Sequence, residues 1–124
     1  MRAQVAALAA AVLLTGCSAL DTADDAWETA VSNHQDCIDA VPPTSLSAEY
    51  IAQAPCDSAF ASALEAITWP NAQLGQEALA LENDAMIAAA AEAAGGVPTV
   101  VQSQQYINDK KTLDDDLARE RLAE

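Results

Sequence analysis

The chain has 124 residues, a length typical of one domain, with 19 acidic and five basic residues and a formal net charge of −14. Such a charge is repelled by nucleic acid phosphates and by anionic lipid headgroups, which argues against nucleic acid binding. No lysine or arginine occurs between Arg2 and Lys110. One interpretation of the acidity is that the charge keeps the domain soluble. The alternative is that the acidic residues bind a basic protein partner or a divalent cation.

The N-terminal segment has three parts. Met1 and Arg2 supply positive charge, and Val5 to Leu14 is a run of ten apolar residues without a charge or a proline. A membrane-spanning helix needs about 20 such residues, so the run is typical of the hydrophobic region of a signal peptide. The run ends in Leu14-Thr15-Gly16-Cys17.

This ending resembles the lipobox of bacterial lipoprotein precursors: an aliphatic residue, a small residue, Gly or Ala, and Cys. The resemblance covers only residues 1–17. It implies a signal peptide over residues 1–16, lipid (palmitate) on Cys17, and a single lipid-anchored domain over residues 17–124. It also implies a location on the extracytoplasmic side of the cell membrane or the outer membrane. The alternative is a hydrophobic N-terminal helix of a cytosolic protein that contains a cysteine.

Apolar residues in the remaining chain recur every three or four positions, a period typical of helices. The pattern predicts helices over residues 21–41, 46–67 with a kink near Pro55, 70–94 and 99–121. Pro42-Pro43 and Gly95-Gly96 end the first and third helices, and Thr99 with Gln102 forms a capping box for the fourth. No segment alternates with the period of a strand. We therefore expect an all-α fold, a small up-and-down bundle of about four helices preceded by a signal-peptide helix.

Cys37 and Cys56 lie on the apolar faces of consecutive predicted helices. If Cys17 carries lipid, these two cysteines remain as a matched pair in a compartment where disulfides persist. A disulfide between them is the favoured prediction. Two buried thiols or a pair of metal ligands are the alternatives.

His34, the single histidine, lies in the apolar stripe of the first helix. One interpretation is a histidine at the edge of the core. The other is a ligand for haem, a metal ion or a small apolar molecule, with Trp27 lining the pocket and Met86, Tyr50 or Tyr106 as a second ligand. The prediction for cofactors is none, with haem or a metal as the alternative.

Motifs of known catalytic sites are missing from the sequence: it has no G-x-S-x-G, no glycine-rich phosphate loop and no H-E-x-x-H. An enzyme is therefore the least favoured hypothesis. We expect a protein-interaction module of the cell envelope, attached to the membrane through lipid on Cys17. Its expected partner is an envelope protein, for which a basic protein is a candidate.

Overall fold

The computed structural model describes the backbone of residues 2–123 and the side chains of residues 19–123. The side chains of the predicted signal peptide and of Cys17 lie outside the described residues. Within the described chain there are four helices and no strand: α1 (Arg2–Asp39), α2 (Leu46–Glu65), α3 (Ala72–Ala93) and α4 (Val100–Leu122). The fold is the small all-α bundle that the sequence predicts.

Side chains at the helix starts supply the missing hydrogen-bond acceptors. Ser45, Asn71 and Thr99 each accept from the backbone amide three residues further on, so α2, α3 and α4 begin where their first turns are capped. The Thr99 cap is the reciprocal box that the sequence predicts, because the Gln102 side chain also accepts from the Thr99 amide.

The end of α3 is set by Gly95, which has φ +83°. The amide of Gly96 donates to Ala91 O and that of Gly95 to Glu92 O, the two bonds of a Schellman ending. A Cβ at position 95 would lie 2.5 Å from Ser47 Oγ and 3.8 Å from Ile51 Cδ1. The connection between α3 and α4 therefore lies against the first turns of α2, which leaves room only for glycine at position 95.

Pro55 lies inside α2, and the helix continues through it to Glu65. Proline has no amide hydrogen, so the Ile51 carbonyl lacks its usual helical donor. The residues on either side of Pro55, Ala54 and Cys56, are buried.

The core is formed mainly by α2, α3 and α4. Its central side chains are fully buried: Phe60, Leu64, Leu74, Leu81, Leu113 and Leu117. From α1 the core receives Leu20, Trp27 and Ala30. α1 packs mainly against α2 and touches α4, and within the described residues it does not pack against α3. None of the described helices is long and apolar enough to span a membrane.

Candidate functional site

The disulfide predicted from the sequence joins Cys37 to Cys56, with an S–S distance of 2.02 Å and a Cα–Cα distance of 5.6 Å. Cys37 lies in the last turn of α1, whereas Cys56 lies in the middle of α2. α1 therefore runs beside the second half of α2 and ends before its first half.

Next to the disulfide, Asp57 forms the centre of a buried polar cluster. His34 Nε2 lies 2.8 Å from Asp57 Oδ1, and Tyr106 Oη donates to the same oxygen at 2.9 Å. Because an ionised carboxylate only accepts hydrogen bonds, Nε2 carries the proton in this contact. The cluster thus joins α1, α2 and α4 through one carboxylate.

Glu92 adds a second carboxyl group from α3. Glu92 is only 6% exposed, and its Oε1 is buried without a hydrogen-bond partner among the described residues. Burial raises the pKa of Glu92 to about 8, and so do the hydrogen bond that its carboxyl group donates to Asp57 and the repulsion by the Asp57 charge. Burial would also raise the pKa of Asp57, but hydrogen bonds from His34, Glu92 and Tyr106 outweigh it and lower that pKa. The pair therefore holds one proton, on Glu92, at neutral pH.

Aromatic rings close the cluster toward the core. The Phe60 ring centroid lies 4.7 Å from that of His34, 6.1 Å from Trp27 and 6.4 Å from Tyr106. Burial and the neighbouring Asp57 charge also raise the pKa of the Tyr106 hydroxyl, so it stays a hydrogen-bond donor. This arrangement can hold a proton and fix three helices. A metal ion at His34 Nε2 would first have to displace the bond to Asp57.

Trp27 is buried and its Nε1 donates to Asp114 Oδ1 of α4 at 2.9 Å. Beside it, an open groove of about 400 Å³ runs between α1 and α4. The groove is lined by Trp27, Val31, Ile107, Lys110, Lys111 and Asp114. A second depression on the α1 side shares Trp27, Val31 and Asp114 with this groove.

The other residues of the predicted ligand site are not brought together with His34. Met86 is 50% exposed on α3, the helix that does not pack against α1. Tyr50 is half-buried near the start of α2 and takes no part in the described hydrogen bonds of the cluster. His34, Trp27 and Tyr106 do meet, but around Phe60 and Asp57 instead of around an open cavity.

Sequence reasoning missed Asp57 and Glu92. Asp57 stands three residues before Phe60 and seven before Leu64, on the buried face of α2, and Glu92 continues the buried stripe of α3 four residues after Ala88. An acidic residue at such a core position is the signal that would have identified both.

Asp24, Asp25 and Glu28 place one carboxylate oxygen each within 4.8 Å of one another. Arg121 already binds Asp24 at 3.0 Å and Asp21 at 3.1 Å. These ion pairs fasten the end of α4 to α1, and nothing in the described residues marks the group as a metal site.

Large apolar side chains are concentrated at one end of the bundle. Of the ten that are exposed in the described chain, five lie in the first turns of α2, in the connection after α3 and in the first turn of α4. We call these residues the distal patch: Leu46, Ile51, Val97, Val100 and Val101. α1 ends before it reaches this part of α2, so it leaves the distal patch uncovered.

Comparisons with known proteins give no further assignment. No protein-family model, no curated protein and no solved structure matches this chain.

Proposed function

We propose that this chain is a lipid-anchored protein of the bacterial cell envelope whose helical domain binds another protein through the distal patch. The observation that carries the proposal is the concentration of exposed apolar side chains at the end of the bundle where α1 ends. Exposed apolar groups of this size mark interaction sites when they cluster, whereas scattered ones do not.

The anchor is supported by Leu14-Thr15-Gly16-Cys17 after the ten-residue apolar run. One acyl chain holds a protein only weakly at a membrane, while two or three hold it stably. Lipid on Cys17 therefore supplies an attachment that an acidic domain does not obtain from anionic headgroups.

The length and direction of α1 support a position of the distal patch away from such an anchor. Residues 19–39 of α1 rise by about 30 Å at 1.5 Å per residue. The distal patch lies at the opposite end, beyond the last turn of α1. A domain standing on its N-terminus would present the distal patch to proteins outside the bilayer.

The acidic charge of the chain indicates the chemistry of the partner. Val100 and Val101 are 86% and 78% exposed, and residues 3–109 contain no lysine or arginine. A partner with apolar side chains flanked by lysine or arginine would complement both the patch and the acidic charge of the chain.

The anchor is tested with Cys17→Ala. We expect the unchanged chain to carry a lipid adduct on a peptide that begins at Cys17, and the variant to keep residues 1–16 and lose the adduct. Mass spectrometry of membrane-extracted protein measures both. An unmodified Cys17 in a chain that still begins at Met1 would refute the anchor.

Partner binding is tested by replacing both Val100 and Val101 with serine. Loss of about 1.4 kcal/mol of apolar contact lowers binding about tenfold. The measurement is the yield of protein cross-linked to a photoreactive residue at Ile51 in intact cells. Leu122→Ser is the matched control, because Leu122 is 88% exposed at the other end of α4. Equal yields from the double variant and the control would exclude the distal patch.

A further inference from the structure

Three carboxyl side chains of α3 each face a carboxyl group on a neighbouring helix, within hydrogen-bonding reach. The pairs are Glu77 with Asp116, Asp84 with Asp109, and Glu92 with Asp57. The first two follow the antiparallel register of α3 and α4, because seven residues forward on α3 correspond to seven residues back on α4. The third joins α3 to α2.

Each α3 member of these pairs has one buried oxygen that lacks a hydrogen-bond partner in the described chain: Glu77 Oε2, Asp84 Oδ2 and Glu92 Oε1. An ionised carboxylate left in that state is costly, because it has lost water without gaining a donor. A proton shared with the facing carboxylate removes both the missing bond and the repulsion.

Few cationic or hydrogen-bond-donating side chains of the described residues lie near these pairs to neutralise or hydrogen-bond the carboxylates. Around Glu77 and Asp116, Gln73 Nε2 donates to Asp116 Oδ2 at 3.3 Å and Arg119 Nη1 lies 2.9 Å from Asp116 Oδ1. The Asp57 pair has His34 and the Tyr106 hydroxyl. Asp84 faces Asp109, and its charge also acts on the hydroxyl group of Tyr106.

We propose that these three carboxyl pairs form a pH-dependent clasp: shared protons hold α3 against α2 and α4 at mildly acidic pH, and their loss above neutral pH loosens α3. The clasp is independent of the lipid anchor and of the distal patch. α3 packs more extensively against α2 and α4 than α1 does, so the loss of three protons from α3 affects the main contacts of the core.

The pKa values support this direction. Burial first, then the facing carboxyl group, raises the pKa of Glu77 and of Asp84 to about 7 and that of Glu92 to about 8. A carboxyl group with a raised pKa in the folded state stabilises the fold fully below its ordinary pKa, and this contribution is lost as pH rises through the raised value. The pKa of Asp57 is lowered, so its contribution to stability is present above the ordinary pKa of an aspartate and is lost only in strong acid.

The test is the thermal unfolding of the purified full chain, followed by circular dichroism from about pH 5.5 to about pH 8.5. We expect the Tm of the unchanged chain to fall by roughly 10 °C over this range. The triple variant Glu77→Gln, Asp84→Asn, Glu92→Gln keeps a hydrogen on each α3 side chain, so its Tm should stay nearly constant. Near neutral pH, the infrared C=O band of protonated carboxyl groups should be present in the unchanged chain and absent from the triple variant.

Glu82→Gln is the matched control, since it removes a carboxyl group from α3 that takes no part in the described pairs, and it should keep the full pH dependence. A constant or rising Tm in the unchanged chain would overturn the clasp, and so would a triple variant with an unaltered pH profile. Recovery of the acid-pH Tm at pH 8.5 on adding Ca²⁺ or Mg²⁺ would also overturn it, because the pairs would then be cation ligands.

Discussion

Replacing Phe60 with alanine is expected to lower the free energy of unfolding by about 3–5 kcal/mol. Phe60 is 2% exposed and is the single phenylalanine of the chain, and its ring meets those of Trp27, His34 and Tyr106. The variant loses the transfer free energy of the ring and leaves a cavity between α1, α2 and α4. Since small domains have about 5–15 kcal/mol in total, the loss is a large part of the stability.

Denaturant unfolding of the unchanged chain and the variant measures this difference. Leu122→Ala serves as the control, because Leu122 is almost fully exposed and such changes stay within about 0.5 kcal/mol. If Phe60→Ala shifts the free energy of unfolding no more than the control does, the aromatic cluster is not the centre of the core.

The second large effect concerns the link between α1 and α2. Cys37 and Cys56 are 19 residues apart, and closing a loop of that size removes chain entropy from the unfolded state worth about 3 kcal/mol. The double variant Cys37→Ala, Cys56→Ala is expected to lose this amount. The loss of stability should be greatest for α1, because its remaining contacts are with α2 and a short part of α4.

Urea unfolding with and without reductant measures the effect. The reduced unchanged chain and the double variant should unfold at similar, lowered midpoints, and the double variant should be insensitive to reductant. Cys17→Ala keeps the Cys37–Cys56 pair and should respond to reductant like the unchanged chain. Identical midpoints in every arm would contradict a stabilising disulfide.

Much of the fold is predictable from the sequence because its signals are local. Thr99 with Gln102, Gly95 and the two-proline segment fix helix ends within a few residues, and the apolar period of α3 identifies its buried face. The disulfide follows from counting cysteines. These features depend on neighbours in the chain, which the sequence displays directly.

The candidate site was predicted less well because it depends on contacts between distant helices. His34 and Tyr106 are ligand candidates by sequence, and in the structure they meet through Asp57, which belongs to no recognisable motif. Met86, a candidate second ligand because of its thioether, lies exposed on α3. The carboxyl pairs depend on the register of α3 against α2 and α4, and no local pattern sets that register.

The placement of Lys110 and Lys111 beside the groove between α1 and α4 has a practical consequence. Apart from the chain terminus, every primary amine of the protein is located at this groove, next to Trp27. An amine-reactive reagent therefore reports on one surface, and a ligand in the groove protects both sites together. Trypsin cleavage is restricted in the same way, since residues 3–110 contain no internal cleavage site and form a single peptide. Cleavage after either lysine breaks the covalent connection between Arg121 and its ion-pair partner Asp24.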